Sequence, residues 1–87
     1  TALLIVEVAD SSLIQDRLTK AAIYAAADVP EYWLVNLRDD CVEVSRSPSA
    51  HARQYAESRI ARRGERITLV ALPDASVLVD ELLPGTL

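Results

Sequence analysis

The run Leu3-Leu4-Ile5-Val6-Glu7-Val8 constrains this chain more than any other segment. It is almost wholly aliphatic and shows no alternation of polar and apolar residues apart from Glu7. That is the pattern of a strand covered on both faces in a parallel or mixed sheet. Residues 2–8 are therefore expected to form a central strand. A carboxylate in such a strand must be paired, protonated or bound to a cation, because desolvating a lone charge costs several kcal/mol.

With 87 residues the chain has room for one hydrophobic core, and about 60–65% of its unfolded surface could be buried. Its 51% hydrophobic and 25% charged residues, with 2 glycines and 4 prolines, mark a packed chain, not a disordered one. The apolar runs are too short to span a bilayer, and no basic-then-apolar leader opens the sequence, so the expectation is a soluble, cytoplasmic chain. One cysteine, Cys41, and one histidine, His51, exclude an internal disulfide and a Cys/His metal cluster. Any metal site must use oxygen ligands. The net charge of −4 disfavours a DNA-coating protein. Arg53, Arg59, Arg62, Arg63 and Arg66 nevertheless gather in one stretch, read as salt-bridged and solvated before phosphate-binding.

Asp10-Ser11-Ser12 signals a helix start, with Ser12 and Gln15 as a capping box. The helix is expected to run to about Ala27, with Ile14, Leu18, Ala21, Ala22 and Ala25 as its core stripe. Asp16, Lys20 and Tyr24 stack at four-residue steps on another face. Asp28 can take the left-handed conformation that closes a helix, and Pro30 blocks its continuation. Residues 32–37 read as a buried strand, Arg38-Asp39-Asp40 as a turn, and residues 41–46 as the half-exposed return of a hairpin. A loop follows to Ala52. Residues 53–57 are read as a strand, with a helix over 49–63 as the alternative; strands are expected at 67–72 and 76–79, and a helical turn over 80–83. Trp33 and Tyr32 are expected in the core, Cys41 as a small buried residue, His51 in a loop, and Ser11 and Ser12 as caps. A strand-like run beginning at the second residue is read as the mark of a fragment whose natural chain extends upstream.

A carboxylate at the end of a central strand, beside a helix presenting lysine, suits metal-dependent phosphodiester hydrolysis. A hard divalent cation takes oxygen ligands and activates water, and the lysine stabilises charge developing on phosphorus. An ion pair between Glu7 and Lys20 is the plain structural reading of the same residues.

Glu7-Val8, the Asp16/Lys20/Tyr24 spacing and the segment Val29-Pro30-Glu31-Tyr32-Trp33-Leu34-Val35-Asn36 together resemble the Uma-two endonuclease family of the PD-(D/E)XK nuclease superfamily. Tyr55 and the stretch from Leu72-Pro73 through Leu82-Leu83 resemble that family's tail. The resemblance implies an α/β (mixed α+β) restriction-endonuclease-like fold, a mixed sheet with a flanking helix, incomplete on its N-terminal side. Residues 1–87 would form a single domain, the carboxyl-terminal half of the family domain. It further implies a Mg²⁺-dependent DNA endonuclease in which Glu7 and Lys20 are catalytic, Glu7 and the Val8 carbonyl bind Mg²⁺, and Asp16 and Tyr24 support Lys20. Arg17 is a candidate phosphate contact. Position 9 is Ala9, where the superfamily usually has lysine, and Lys20 is the only lysine. Asp10-Ser11 replaces the family's Ser-Pro, and Asp28 its glycine. The first acidic residue of the superfamily, an aspartate on an upstream strand, has no counterpart, so this chain alone is expected to be catalytically incomplete. The competing reading is a non-catalytic module that forms a homo-oligomer, or binds another partner, through an exposed sheet edge.

Overall fold

The computed structural model describes residues 2–10 and 17–85. The capping box, Ile14 and Asp16 lie outside the described residues. The elements in chain order are β1 (Ile5–Ala9), α1 (Arg17–Ala26), β2 (Glu31–Asn36), β3 (Cys41–Ser49), β4 (Gln54–Arg62), β5 (Arg66–Thr68), β6 (Ser76–Leu78) and α2 (Val79–Leu82). A mixed sheet has the order β1-β2-β3-β4, with β1 parallel to β2 and the other pairs antiparallel; β5 and β6 form a separate two-stranded ribbon. The expected mixed α+β class is observed.

Alternation along the strands creates two faces. On one, Trp33 and Val35 of β2, Val42 and Val44 of β3 and Ala61 of β4 pack against Ile67, Val79 and Leu83. On the other, Ala9, Tyr32 and Leu34 meet Ala21 and Tyr24 of α1, together with Ile5 and Tyr55. Every residue of β2 is buried. The strand covered on both faces is thus β2, because helix and ribbon sandwich it. Among the described residues β1 ends the sheet, correcting the central placement expected for residues 2–8. Its Val6 and Val8 are 42% and 57% exposed, as is Leu3 at 59%.

Helix α1 closes as expected at Asp28, whose φ is 61°. Asp28 N–H donates to Ala25 O at 3.0 Å and Val29 N–H to Tyr24 O at 3.0 Å, the paired bonds of a Schellman motif with aspartate in the usual glycine position. The expected stripe is corrected at Leu18, which is 80% exposed. Ala25 is buried as expected, and Leu18, seven residues earlier on the same helix face, is exposed because the first turn of α1 overhangs the cleft between the helix and β3–β4.

The loop expected at 47–52 shrinks because β3 runs to Ser49. β4 spans nine residues, not five, and the helical alternative over 49–63 is excluded. Ala and Arg favour helices, but pairing with β3 from Cys41↔Arg62 to Ser49↔Gln54 overrides that preference. β5 is shorter than expected, since the chain turns after Thr68 and Leu69 N–H reaches back to Ala75 O at 3.1 Å. Trp33, Tyr32 and Cys41 are buried and His51 is exposed, as expected. Within the arginine-rich stretch, Arg59 pairs with Glu65 at 3.9 Å, and Arg63 with Asp40 at 2.7 Å and Asp80 at 3.8 Å.

Glu31 ties the layers together. It is 1% exposed, and its carboxylate accepts from Trp33 Nε1 at 2.8 Å, Arg46 Nε at 2.8 Å and the Val70 N–H at 2.9 Å. Arg46 also donates to Thr68 O. One carboxylate therefore joins β2, β3 and the turn after β5.

Candidate active site on the helix face of the sheet

Glu7 lies on β1 with its side chain on the α1 face, paired in register with Leu34, which in turn pairs with Glu43. Helical periodicity carries Lys20 and Tyr24 to that same carboxylate. Lys20 Nζ is 3.4 Å from Glu7 Oε2, and the Tyr24 hydroxyl donates to Oε1. The Glu7 side chain is 26% exposed and that of Lys20 47%, so solvent screens the pair and the ion pair itself adds at most about 1 kcal/mol to stability.

Val8 places its side chain in solvent. The Ala9 carbonyl accepts from Leu37 N–H at 3.0 Å on the β2 side, and carbonyls alternate along a strand, so that of Val8 turns to the open edge of β1. Arg17, at the start of α1, lies 3.6 Å from Glu43 Oε2, and with Glu7 and Lys20 it lines one small cavity. Glu43 also accepts from Asn36 Nδ2 at 3.0 Å; the same amide reaches Asp39 at 3.1 Å, and Arg38 pairs with Asp39 at 3.3 Å. The Arg38 bond is the main influence lowering the Asp39 pKa.

Sequence reasoning missed Glu43, Asn36 and Asp39 as neighbours of the site. The alternation of residues 41–46 indicates the face of Glu43, but only the sheet register sets it two strands from Glu7. A cleft of about 290 Å³ continues from there between α1 and β2–β4, with Arg17, Leu18, Tyr32 and Ile60 among its walls. Among the described residues no group of three or more His, Cys, Asp or Glu side chains is placed to hold a metal ion.

All three tyrosines are held protonated above their ordinary value of 10.0. For Tyr24 the leading cause is its bond to Glu7; for Tyr32 it is burial, then the Glu7 charge; for Tyr55, whose hydroxyl donates to Val29 O at 2.7 Å, it is burial. Burial also raises the Cys41 thiol, which makes it a poor nucleophile. A raised folded-state pKa gives stability that is full below pH 10 and is lost as pH rises through the folded values. Tyrosine absorbance in the native chain should therefore rise at higher pH than in urea, and Glu7→Gln should move part of that rise back towards 10. Coincident native and unfolded titrations would contradict the assignment.

No helix among the described residues is long and apolar enough to cross a membrane. No curated protein and no solved structure matches the chain. The family model Uma2, described as "Putative restriction endonuclease", matches residues 2–81. With a match over nearly its whole length, spanning Glu7, Lys20, Tyr24 and the strand that buries Tyr32 and Trp33, the chain belongs to the Uma2 family.

Proposed function

We propose that this chain carries the Glu7–Lys20 part of the reactive centre of a Mg²⁺-dependent DNA endonuclease acting in the cytoplasm, and that residues 1–87 correspond to the carboxyl-terminal half of a restriction-endonuclease-like domain. The observation that carries this reading is the convergence of Lys20 and Tyr24 on the two oxygens of Glu7. Glu7 orients the ammonium, and Lys20, free to swing on a flexible stem, meets a phosphate oxygen and offsets charge developing there. Tyr24 fixes the carboxylate's direction; Arg17, anchored on Glu43, contacts a neighbouring phosphate. Asp16 is assigned a supporting role with Lys20.

Mg²⁺, when bound, would activate the attacking water. Glu7 offers one hard oxygen, and the Val8 carbonyl a second. Waters and phosphate oxygens would complete the octahedral shell, and a second carboxylate, if the cation takes one, would come from outside the described residues.

The second reading is a homo-oligomer formed through β1, favoured by the exposed Val6 and Val8 of that strand and by Leu3 just before it. Light scattering on the 87-residue chain at micromolar concentration tests it: a dimer or larger species is expected, and a stable 9.5 kDa monomer would end it.

The nuclease reading predicts that the 87-residue chain alone leaves plasmid DNA intact in Mg²⁺. A longer polypeptide supplying an upstream acidic strand should nick or cut it, with EDTA abolishing the reaction. EDTA-sensitive cleavage by the 87-residue chain itself, lost in Glu7→Gln, would show that the second carboxylate is not required from elsewhere.

A further inference from the structure

Tyr32 is 2% exposed, and its hydroxyl has no hydrogen-bond partner among the described residues. The other buried polar side chains, Glu31 and Asn36, are bonded. Phenylalanine would fill the same space in β2 without stranding a polar atom, which is costly in a buried setting. The orphan also sits in a telling place. Tyr32 lines the cavity that holds Glu7 and Lys20, and its ring packs on Tyr24, whose own hydroxyl is committed to Glu7. Glu7 is the charged group that acts most strongly on Tyr32. In the described state Tyr24 and Lys20 both donate to Oε1, and the Lys20 ammonium, 3.4 Å from Oε2, is the group held against the second oxygen.

We propose that Tyr32 is a positioning residue held in reserve, whose hydroxyl donates to Glu7 once Lys20 leaves the carboxylate for a phosphate. The inference rests on the nuclease reading for its purpose. The exchange keeps Glu7 doubly bonded, and therefore fixed in direction, while the ammonium is engaged with substrate. It also explains why a polar atom is tolerated unbonded in the free protein: it is satisfied in the other state.

The geometry can be tested without substrate, because Lys20→Met removes the ammonium as its departure would. Lys20 is exposed on α1, so the variant should fold, and Lys20→Ala serves as a second version. Thermal melting of the 87-residue chain in a double-mutant cycle should show Tyr32→Phe raising the midpoint by about 2–8 °C when Lys20 is present, since an unbonded buried hydroxyl is removed. In the Lys20→Met background the same change should lower the midpoint, since a bond to Glu7 is lost. The same sign in both backgrounds overturns the inference, because a purely structural tyrosine gives no reversal. A second arm adds a short DNA duplex to the longer, cleavage-competent polypeptide with wild-type Tyr32 and with Tyr32→Phe, where a larger upward shift is expected for the wild type. No shift in the wild type fells the nuclease reading, and the reserve donor loses its purpose with it; equal shifts fell the inference alone.

Discussion

Glu31→Ala should lower the melting midpoint by about 15–30 °C. The carboxylate is 1% exposed and holds three donors, and deletion leaves the Trp33 indole N–H buried with Arg46 and the Val70 N–H unmatched. Breaking a buried charged group away from its partners costs roughly 3–5 kcal/mol. A domain of this size is stable by only about 4–13 kcal/mol, so the loss is a large share of the whole. Arg59→Ala, which removes an exposed pair to Glu65 with both side chains nearly half exposed, is the control and should shift the midpoint by a few degrees at most. A drop of under 5 °C in Glu31→Ala would mean that the carboxylate is not the tie between β2, β3 and the turn after β5.

What could be read in advance follows a physical pattern. The four-residue step between Lys20 and Tyr24 is a local property of a helix, and it fixes that both meet one neighbour; Glu7, the lone acid in an aliphatic strand, was the available partner. Asp28 as a helix stop is likewise local. How far the helix overlaps the sheet was not, since Leu18 and Ala25 share one face and only their position along α1 separates the exposed residue from the buried one. Register was invisible too: Glu43 joins the site through Leu34, and Val70 reaches Glu31 across 39 positions. The sequence of β4 points to a shorter strand because its exposed arginines carry no alternation strong enough to outweigh helix preference, while its partner β3 decides its conformation.

The second large effect lies at the proposed reactive centre. In a cleavage-competent polypeptide containing this chain, Lys20→Ala should slow DNA cleavage on the order of 10²–10³-fold with little loss of DNA affinity, since the ammonium acts on charge that develops only in the transition state. Lys20→Arg should recover part of the rate, because it restores charge within reach of Glu7 but in a broader, planar form. An equal loss of binding and rate in Lys20→Ala would assign the lysine to substrate binding alone. Arg17→Ala should do the opposite, weakening DNA binding in a salt-dependent way while the rate at saturation changes little.

The most direct measurement is the single-turnover cleavage rate of that polypeptide with Glu7→Gln under saturating Mg²⁺, taken beside its DNA affinity and melting curve. Glutamine keeps the shape and can still accept from Tyr24, so the fold and DNA binding should persist. The rate should fall by on the order of 10³-fold or more, because the negative charge that holds Lys20 and offers a hard oxygen is gone. Cleavage within a few fold of the wild type, by a variant that is folded and binds DNA, would show that Glu7 and the side chains gathered on it are a structural ion pair, and that the chemistry lies elsewhere.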